Sequence, residues 1–464
     1  MRDGKKVVIT YGTYDLLHFG HIALLKRARA LGDFLIVGIT SDAFDKQRGK
    51  FNVSQSLVER IEAVRSTGLA DMIVVEEYRG QKIADIQKYH VDVFAIGSDW
   101  QGKFDYLEKY CEVVYLERTK GVSSTELREK DADELTIGCI GCDYLSDRFV
   151  RESSFVLGAH ITAAWDEDED TRNAFCRHWN LQQAASLDDL LDTVDAVYIS
   201  LPINERFSTI EQALRAGCHV MAEGPQFLST AELNRAHTLA QEGGLILFDA
   251  VKTRYFPAFE HLKLLLESGI IGEVKDIDAS FSHVFDELDK ANRYEGSFYD
   301  MASYILLPAV DLLGSDFLRK DLICRFEGDF CTWTKCNLTY ASSTATLRTG
   351  RGMKTEGDMT ITGTDGFLYI PSPWWLMNYF ELRTEDLRAT KRFYFEYAGE
   401  GQRYELAEFM RIVFDKNRQD SSDGVRAWAR MEAVTRLVEA FDRGDIFKLT
   451  DSACAFGGGE TVVD

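Results

Sequence analysis

Basic residues are scarce in this 464-residue sequence, which has 53 lysines and arginines against 75 aspartates and glutamates. The formal net charge of −22 argues against a nucleic-acid-binding surface and against adhesion to anionic membranes. No apolar stretch approaches the roughly 18 residues that a membrane span needs. The N-terminus alternates charged and apolar residues and does not resemble a signal peptide. We therefore expect a cytoplasmic protein with no nucleic-acid and no membrane partner.

Cysteines are few, scattered and odd in number, nine in all, which is typical of reduced thiols rather than a disulfide framework. Cys139 and Cys142 form a CxxC pair, the pattern of a redox pair or half of a zinc site. No second CxxC follows at zinc-finger spacing. We interpret the pair as core residues and predict no metal site built from protein side chains.

Two or three domains are expected from the length, and a hydrophobic content of 45% is ample for their cores. In the first 130 residues, β-rich runs alternate with helical patterns. The predicted strands are 6–11, 34–39, 72–75, 93–96 and 112–115. This alternation indicates a parallel sheet with helices on both faces, in which ligands bind beyond the carboxyl ends of the strands.

The turn after the first predicted strand carries two glycines and two histidines, in Gly12-Thr-Tyr-Asp-Leu-Leu-His-Phe-Gly-His21. Glycines let backbone N–H groups approach a ligand, and a helix N-terminus favours anions. His18 and His21, three residues apart, lie on one face of a helical turn and can donate to phosphate oxygens. The pattern predicts a triphosphate site.

Further motifs follow in order: Arg48-Gly-Lys50, Glu59-Arg60, Gly97-Ser-Asp-Trp100 and Arg118-Thr-Lys-Gly-Val-Ser-Ser-Thr125. Together with the first motif they resemble the HxGH nucleotidyltransferase superfamily, and within it the glycerol-3-phosphate cytidylyltransferases. The resemblance implies transfer of CMP from CTP to a small polyol phosphate, with Mg²⁺ bound largely through phosphate and water. CDP-activated glycerol would be a precursor of cell-surface polymers.

The resemblance also implies roles for individual residues. Catalysis is assigned to His18, His21, Lys50 and Arg118. CTP binding is assigned to Gly12, Thr13, Tyr14, Asp99, Arg118, Ser123, Ser124 and Thr125. Acceptor binding is assigned to Asp15, Arg48, Lys50, Arg60 and Trp100. Three residues depart from the family pattern, namely Arg48, Arg79 and Ser98, so that another small polyol phosphate remains an alternative to glycerol-3-phosphate.

A charged run, Glu129–Glu134, is predicted to be a linker, after which a second βα pattern starts at Leu135. The segments Val194–Asn204, Glu223-Gly-Pro225 and Gly296–Tyr304 resemble the Gfo/Idh/MocA oxidoreductases. The resemblance implies an NAD-type Rossmann domain, then a C-terminal α/β domain with an open sheet that commonly builds dimers or tetramers. We predict domains at 1–130, 131–250 and 251–464, an α/β fold throughout, and a homo-oligomer.

Strand-like runs at 274–285, 331–348, 358–371 and 378–382 fit the open sheet, and helical periodicity at 404–413 and 427–442 fits closing helices. The resemblance gives candidate dinucleotide contacts at Gly141, Asp166, Pro202, Asn204 and Glu223. It gives further candidate site residues at Asp300 and Tyr304.

Two key positions depart from the dinucleotide-binding pattern. Asp143 stands where the G-x-G-x-x-G fingerprint has its second glycine, and Gly224 stands where the family has a catalytic lysine. Lys252 is a speculative substitute for that lysine. Three interpretations stay open: an oxidoreductase-like half impaired in redox chemistry, an active NAD(P)-dependent reductase, and a nucleotide-binding oligomerisation or sensor module. The first is the favoured expectation.

Overall fold

The computed structural model describes residues 4–17, 19–51, 53–117, 134–284, 292–386, 388, 390–395, 397–414 and 422–450. They form two compact units. The first takes its described residues from Met1–Leu135, Arg151–His160 and Glu396–Arg403, and the second from Thr136–Val150, Ile161–Phe395 and Tyr404–Asp464. The boundaries of the three predicted domains stay a prediction. No helix among the described residues is both long and apolar enough to cross a bilayer.

The first unit is built on a five-stranded sheet with the order β3-β2-β1-β4-β5, in which all pairs are parallel. Its strands are β1 (Val7–Gly12), β2 (Phe34–Thr40), β3 (Met72–Glu76), β4 (Val93–Gly97) and β5 (Glu112–Leu116). Its helices are α1 (Phe19–Arg29), α2 (Asp42–Gln47), α3 (Leu57–Ser66) and α4 (Gln81–Tyr89). The central strands are buried along nearly their whole length because helices cover both faces of a parallel sheet.

Local capping fixes the helices that follow the second strand. The Ser41 side chain accepts a hydrogen bond from the Phe44 N–H and begins α2. Ser56 and Glu59 form a capping box that begins α3. These caps place the polar residues of α2 and α3 beside the carboxyl end of β1, whose backbone pairs with β2 up to Gly12.

The second unit contains a six-stranded parallel sheet with the order β11-β10-β9-β6-β7-β8. Its strands are β6 (Leu135–Ile140), β7 (Ala159–Trp165), β8 (Gln182–Gln183), β9 (Ala196–Ile199), β10 (His219–Glu223) and β11 (Leu247–Ala250). Its helices are α5 (Tyr144–Ser153), α6 (Glu169–Trp179), α7 (Leu187–Leu191), α8 (Ile203–Ala216) and α9 (Thr230–Gly243). The core of this sheet includes Ile140, Val197 and Val220, which are fully buried.

A nine-stranded mixed sheet follows, with the order β19-β18-β17-β16-β12-β15-β14-β13-β20. Its strands are β12 (Val274–His283), β13 (Arg319–Glu327), β14 (Phe330–Thr339), β15 (Thr344–Arg351), β16 (Met359–Gly363), β17 (Phe367–Ile370), β18 (Tyr379–Arg383), β19 (Lys391–Tyr394) and β20 (Phe447–Lys448). The remaining helices are α10 (Pro257–Glu267), α11 (Ser297–Leu312), α12 (Gln402–Phe414) and α13 (Ser422–Asp442). The α/β fold class is confirmed.

Two predicted strands of the mixed sheet are wrong as single elements. The run 331–348 divides into β14 and β15, because the Tyr340 N–H donates to the Ser343 carbonyl at 2.8 Å and closes a turn. The run 358–371 divides into β16 and β17, where the Gly363 N–H donates to the Gly366 carbonyl at 2.8 Å. The turn residues Ala341–Thr344 and Gly363–Gly366 are small and polar, so the sequence held turn signals that the prediction did not use.

Candidate functional site

The first candidate site lies where β1 ends and α1 begins. His21 is in the first turn of α1, and its ring centroid is 5.6 Å from that of the buried Tyr14 in an edge-on arrangement. Gly12 is packed closely, since a Cβ built there would lie 2.9 Å from the Tyr14 ring. The Tyr14 ring therefore packs against both Gly12 and His21 in this turn, and the triphosphate site stays a prediction.

A cluster of four polar residues, which we call the Lys50 cluster, joins this turn to the loop after α2. Lys50 donates to the Thr13 hydroxyl at 2.7 Å, and that hydroxyl lies 3.4 Å from Asp45 Oδ1. Arg48 donates to the same carboxylate oxygen at 2.7 Å. Burial raises the pKa of Asp45, although the charges of Lys50 and Arg48 lower it. The predicted residues Thr13, Arg48 and Lys50 thus lie together.

Asp45 is a member of this cluster that sequence reasoning missed. Its side chain is almost fully buried, and it orients both Arg48 and the Thr13 hydroxyl. A usable signal was its position three residues before Arg48 on a helix, the spacing at which opposite charges meet.

Two predicted acceptor-binding residues have supporting positions in the structure. Asp15, 2% exposed, accepts hydrogen bonds from the N–H groups of Ser54 and Gln55 at about 3 Å. Arg60 is fully buried and donates to three backbone carbonyls, at 2.8–3.1 Å, and to the Asp42 carboxylate. These carbonyls belong to Thr13, Thr40 and Gln55. Asp15 and Arg60 therefore fix the segments that carry Thr13 and Lys50.

Asp99 and Trp100 follow β4, whose carboxyl end is at the same edge of the sheet as that of β1. Both side chains are exposed. The Trp100 ring lies 5.8 Å from that of Phe104, and the ammonium group of Lys103 is 5.1 Å from its centroid. The remaining predicted residues of this site lie outside the described residues: His18, Arg118, Ser123, Ser124 and Thr125.

The second candidate site is the loop between β6 and α5. Gly141 has a φ of +86°, and a Cβ there would lie 2.0 Å from the Ser200 carbonyl oxygen, so that only glycine fits. Asp143 Oδ1 accepts from the N–H groups of Leu145 and Ser146 at 3.0 and 2.9 Å. Its other oxygen accepts from the Ser200 hydroxyl at 2.7 Å.

The end of β10 carries Glu223 and Gly224. Glu223 is 5% exposed and accepts a hydrogen bond from the Tyr198 hydroxyl at 2.6 Å. Burial raises the pKa of Glu223 to about 7. A Cβ at Gly224 would lie 2.3 Å from Ser303 Oγ and 2.7 Å from Asp249 Oδ1. The space next to Gly224 is therefore filled by neighbouring side chains.

The other predicted residues of the second half are divided between two places. Asp166 accepts from the Cys142 N–H at 2.8 Å, beside the Gly141 loop, while Pro202 and Asn204 are exposed at the start of α8. Asp300 and Tyr304 share one face of α11. Asp300 forms an ion pair with Arg351 at 3.2 Å.

The fold and these sites define a class of protein: a nucleotidyltransferase domain joined to an oxidoreductase-type Rossmann domain. Residues 9–130 match the family model described as cytidylyltransferase-like. Residues 135–250 match the model described as oxidoreductase family, NAD-binding Rossmann fold, of the Gfo/Idh/MocA proteins. The chain is therefore a fusion, as predicted.

The glycerol-3-phosphate cytidylyltransferase of Bacillus spizizenii is 48% identical over 124 residues, which cover 95% of that protein and 27% of this chain. This chain belongs, through its first domain, to the glycerol-3-phosphate cytidylyltransferase family. Over 248 residues it is also 29% identical to the dTDP-3,4-didehydro-2,6-dideoxy-alpha-D-glucose 3-reductase of Streptomyces violaceoruber, covering 72% of that protein and 49% of this chain.

Solved structures share the fold of the second part of the chain. The 3-ketoreductase KijD10 from Actinomadura kijaniata, in complex with NADP and TDP-benzene, aligns with a TM-score of 0.60 at 22% identity. The alignment covers 68% of this chain and 99% of that one. At this identity the likeness concerns the fold. The first domain belongs to the cytidylyltransferase family, and the second part shares the fold of a reductase.

Proposed function

We propose that the first domain transfers CMP from CTP to glycerol-3-phosphate and releases CDP-glycerol and pyrophosphate. A phosphate oxygen of the acceptor attacks the α-phosphorus of CTP, and the bond from that phosphorus to the oxygen that bridges it to the β-phosphate breaks. The acceptor oxygen is already anionic, so the site needs to position the reactants and to stabilise the leaving pyrophosphate. The protein does not have to supply a strong base.

The Lys50 cluster is the observation that carries this proposal. The Lys50 ammonium group is held 2.7 Å from the Thr13 hydroxyl, in the turn that also leads to His21. A cation and an imidazole at one strand end suit the negative charge that develops on the leaving phosphates. Arg118 and His18, proposed from the sequence motifs, would add to this charge.

Mg²⁺ is proposed to enter with CTP. Among the residues that the structure describes, no group of three or more histidine, cysteine or acidic side chains is arranged to hold a metal ion. The ion is proposed to lie on the phosphate oxygens of CTP and on water, which is the usual arrangement for Mg²⁺ with a nucleotide.

The acceptor is tested by measuring pyrophosphate release from CTP with a panel of polyol phosphates. We expect kcat/KM to be highest for glycerol-3-phosphate, with CDP-glycerol identified by mass spectrometry. A clear preference for a longer polyol phosphate would contradict glycerol-3-phosphate as the acceptor.

We further propose that the second part of the chain does not carry out hydride transfer. Its support is Gly224, where the lysine of the related oxidoreductases is missing and where Ser303 and Asp249 leave no room for a Cβ. Lys252 is 9% exposed and follows β11, the parallel neighbour of β10, where its charge lowers the pKa of Glu223. Replacement of Gly224 by lysine would require both Ser303 and Asp249 to shift, so the packing around Gly224 does not accommodate a lysine.

NADH and NADPH oxidation with keto sugars and with keto precursors of polyol phosphates tests this second proposal. We expect no oxidation above the rate without protein. Oxidation that depends on the protein and on a carbonyl substrate would instead establish the alternative, a bifunctional transferase and reductase. In that case a Lys252→Met variant would test whether Lys252 has taken over the role of the missing lysine.

A further inference from the structure

The loop between β6 and α5 does not fit the dinucleotide that its fold family implies. In nucleotide-binding sheets of this type the pyrophosphate lies on the N-terminus of the helix after the first strand, where backbone N–H groups donate to it. That helix is α5 in this chain. Two N–H groups of its first turn, those of Leu145 and Ser146, donate instead to Asp143 Oδ1 at 3.0 and 2.9 Å.

The second oxygen of the same carboxylate closes the opposite side of the loop. Asp143 Oδ2 accepts from the Ser200 hydroxyl at 2.7 Å, and Ser200 immediately follows β9. Ser146, at the third position of the glycine fingerprint, donates its hydroxyl to the Gly141 carbonyl at 2.5 Å. The side chains at the second and third fingerprint positions therefore hydrogen-bond with the loop itself.

Two physical consequences follow for a pyrophosphate. The donors that would bind it already have an anionic acceptor, and a bound phosphate would lose these charge-assisted hydrogen bonds unless Asp143 moved away. A phosphate that entered beside Asp143 would also face a like charge at short range. The second glycine of the fingerprint normally leaves this space open.

The acid on the ribose side of the site also accepts hydrogen bonds from backbone N–H groups. Asp166, at the end of β7, accepts from the Cys142 N–H at 2.8 Å with one oxygen and from the Asp168 N–H at 2.9 Å with the other. Both oxygens of the acid that commonly holds an adenosine ribose therefore have a backbone donor. The first of these contacts joins the Gly141 loop to the end of β7.

We propose that the Asp143 carboxylate takes the place of a cofactor pyrophosphate, so that the second part of the chain does not bind NAD(H) or NADP(H). Asp143 is then the residue that determines which ligands this Rossmann domain excludes. The inference rests on the proposed lack of hydride transfer and deepens it, because it assigns the lack to cofactor exclusion as well as to the missing lysine.

The test is a fluorescence titration of the full-length protein with NADH and, separately, with NADPH. The wild-type protein is compared with Asp143→Ser, which keeps a side chain able to cap α5 but removes the charge, and with Asp143→Gly, which restores the fingerprint. Asp147→Asn is the matched control, since Asp147 is an acid on the same helix that accepts from the Trp179 ring N–H.

We expect no saturable binding by the wild-type protein and by Asp147→Asn, and saturable NADH binding by Asp143→Ser and Asp143→Gly. The apparent affinity should rise by about tenfold or more when the charge is removed. Thermal melting of each variant shows whether it is folded, and Asp143→Ser keeps the test valid if the glycine variant is unstable.

Three results would overturn the inference. In the first, the wild-type protein binds NADH as tightly as the Asp143 variants do. In the second, folded Asp143→Ser and Asp143→Gly gain no binding. In the third, Asp147→Asn gains as much binding as they do. Wild-type binding without oxidation of NADH by carbonyl substrates would contradict only this inference. Oxidation of NADH would contradict both it and the proposed lack of hydride transfer, while CTP turnover on the same preparations reports on the first domain separately.

Discussion

Lys50 was predicted from a sequence motif to be a site residue, and the structure places it beside the β1–α1 turn. The sequence places it in a basic loop, and the structure brings its ammonium group to 2.7 Å from the Thr13 hydroxyl in the β1–α1 turn. A contact across 37 positions is not visible in a sequence pattern. It follows from the Asp15 and Arg60 hydrogen bonds that hold the two segments together.

We expect a Lys50→Ala variant to lose about 10- to 100-fold in kcat/KM for CTP, because a cation at the phosphates is removed. The matched control is Lys46→Ala, an exposed lysine on α2, which should retain activity within about twofold. Pyrophosphate release measures both. Equal losses in the two variants would mean that general charge, rather than the Lys50 position, supports activity.

At the scale of single residues, we expect Glu223 to make the free energy of unfolding of the second unit depend on pH. Burial raises its pKa to about 7, while the Tyr198 hydrogen bond and the charges of Arg206 and Lys252 lower it. A raised pKa means that the folded state binds the proton more tightly than the unfolded state does. The stabilising contribution is therefore complete below the ordinary pKa of about 4.3 and is lost as the pH rises through about 7.

The free energy of unfolding of the second unit should consequently fall as the pH rises from about 5 to about 8. Glu223→Gln should flatten this dependence, because glutamine is neutral and can still accept from Tyr198. Denaturant unfolding across this window measures the effect, with the exposed Glu242→Gln variant as control. An unchanged slope in Glu223→Gln would assign the pH dependence to another group.

At the scale of elements, a strand could be predicted when its sequence is an apolar run with polar residues on both sides. The predicted strands of the first domain agree with the structure within about one residue, since each is a buried apolar run flanked by polar residues. The strands β13, β19 and β20 were missed. Charged residues such as Arg319, Lys391 and Lys448 make them resemble loops.

Site residues that belong to a sequence motif could be predicted. Contacts with backbone groups distant in the sequence could not. Thr13, Arg48 and Lys50 were expected as site residues, and they lie in one cluster. The buried, supporting position of Arg60 was not foreseen, because its partners are carbonyls from three separate segments. Asp143 was identified from the sequence as a departure from the glycine fingerprint, but its capping of α5 depends on the positions of N–H groups that only the structure gives.

Packing inside the first sheet gives a prediction at the element scale. A Cβ at Gly38 in β2 would lie 2.2 Å from the Tyr11 ring, whereas one at Gly97 in β4 would have its nearest neighbour at 3.6 Å. We expect Gly38→Ala to destabilise the first unit by about 1–3 kcal/mol, as overpacking does. Gly97→Ala should change its stability by less than about 1 kcal/mol.

Denaturant unfolding followed by circular dichroism compares the two variants with the wild-type protein. The same stability for Gly38→Ala and Gly97→Ala would contradict the close packing of Tyr11 against β2.

At the scale of the whole molecule, a homo-oligomer remains our prediction. Both related families commonly form dimers, and an open nine-stranded sheet offers a broad surface for association. Light scattering at physiological salt should give a mass of at least twice the chain mass of 52.6 kDa. A mass equal to that of one chain would contradict the prediction.

The fusion joins a cytidylyltransferase domain to an oxidoreductase-type domain, and we propose that the transferase works without redox chemistry. The most direct measurement is CDP-glycerol formation from CTP, Mg²⁺ and glycerol-3-phosphate, with and without NADH or NADPH, alongside a reaction that replaces the acceptor with its keto precursor. We predict the same rate of CDP-glycerol formation with and without the nicotinamides, and no CDP-glycerol from the keto precursor. Product from the keto precursor and NADH or NADPH would contradict the account and make the second domain a working reductase that supplies the first.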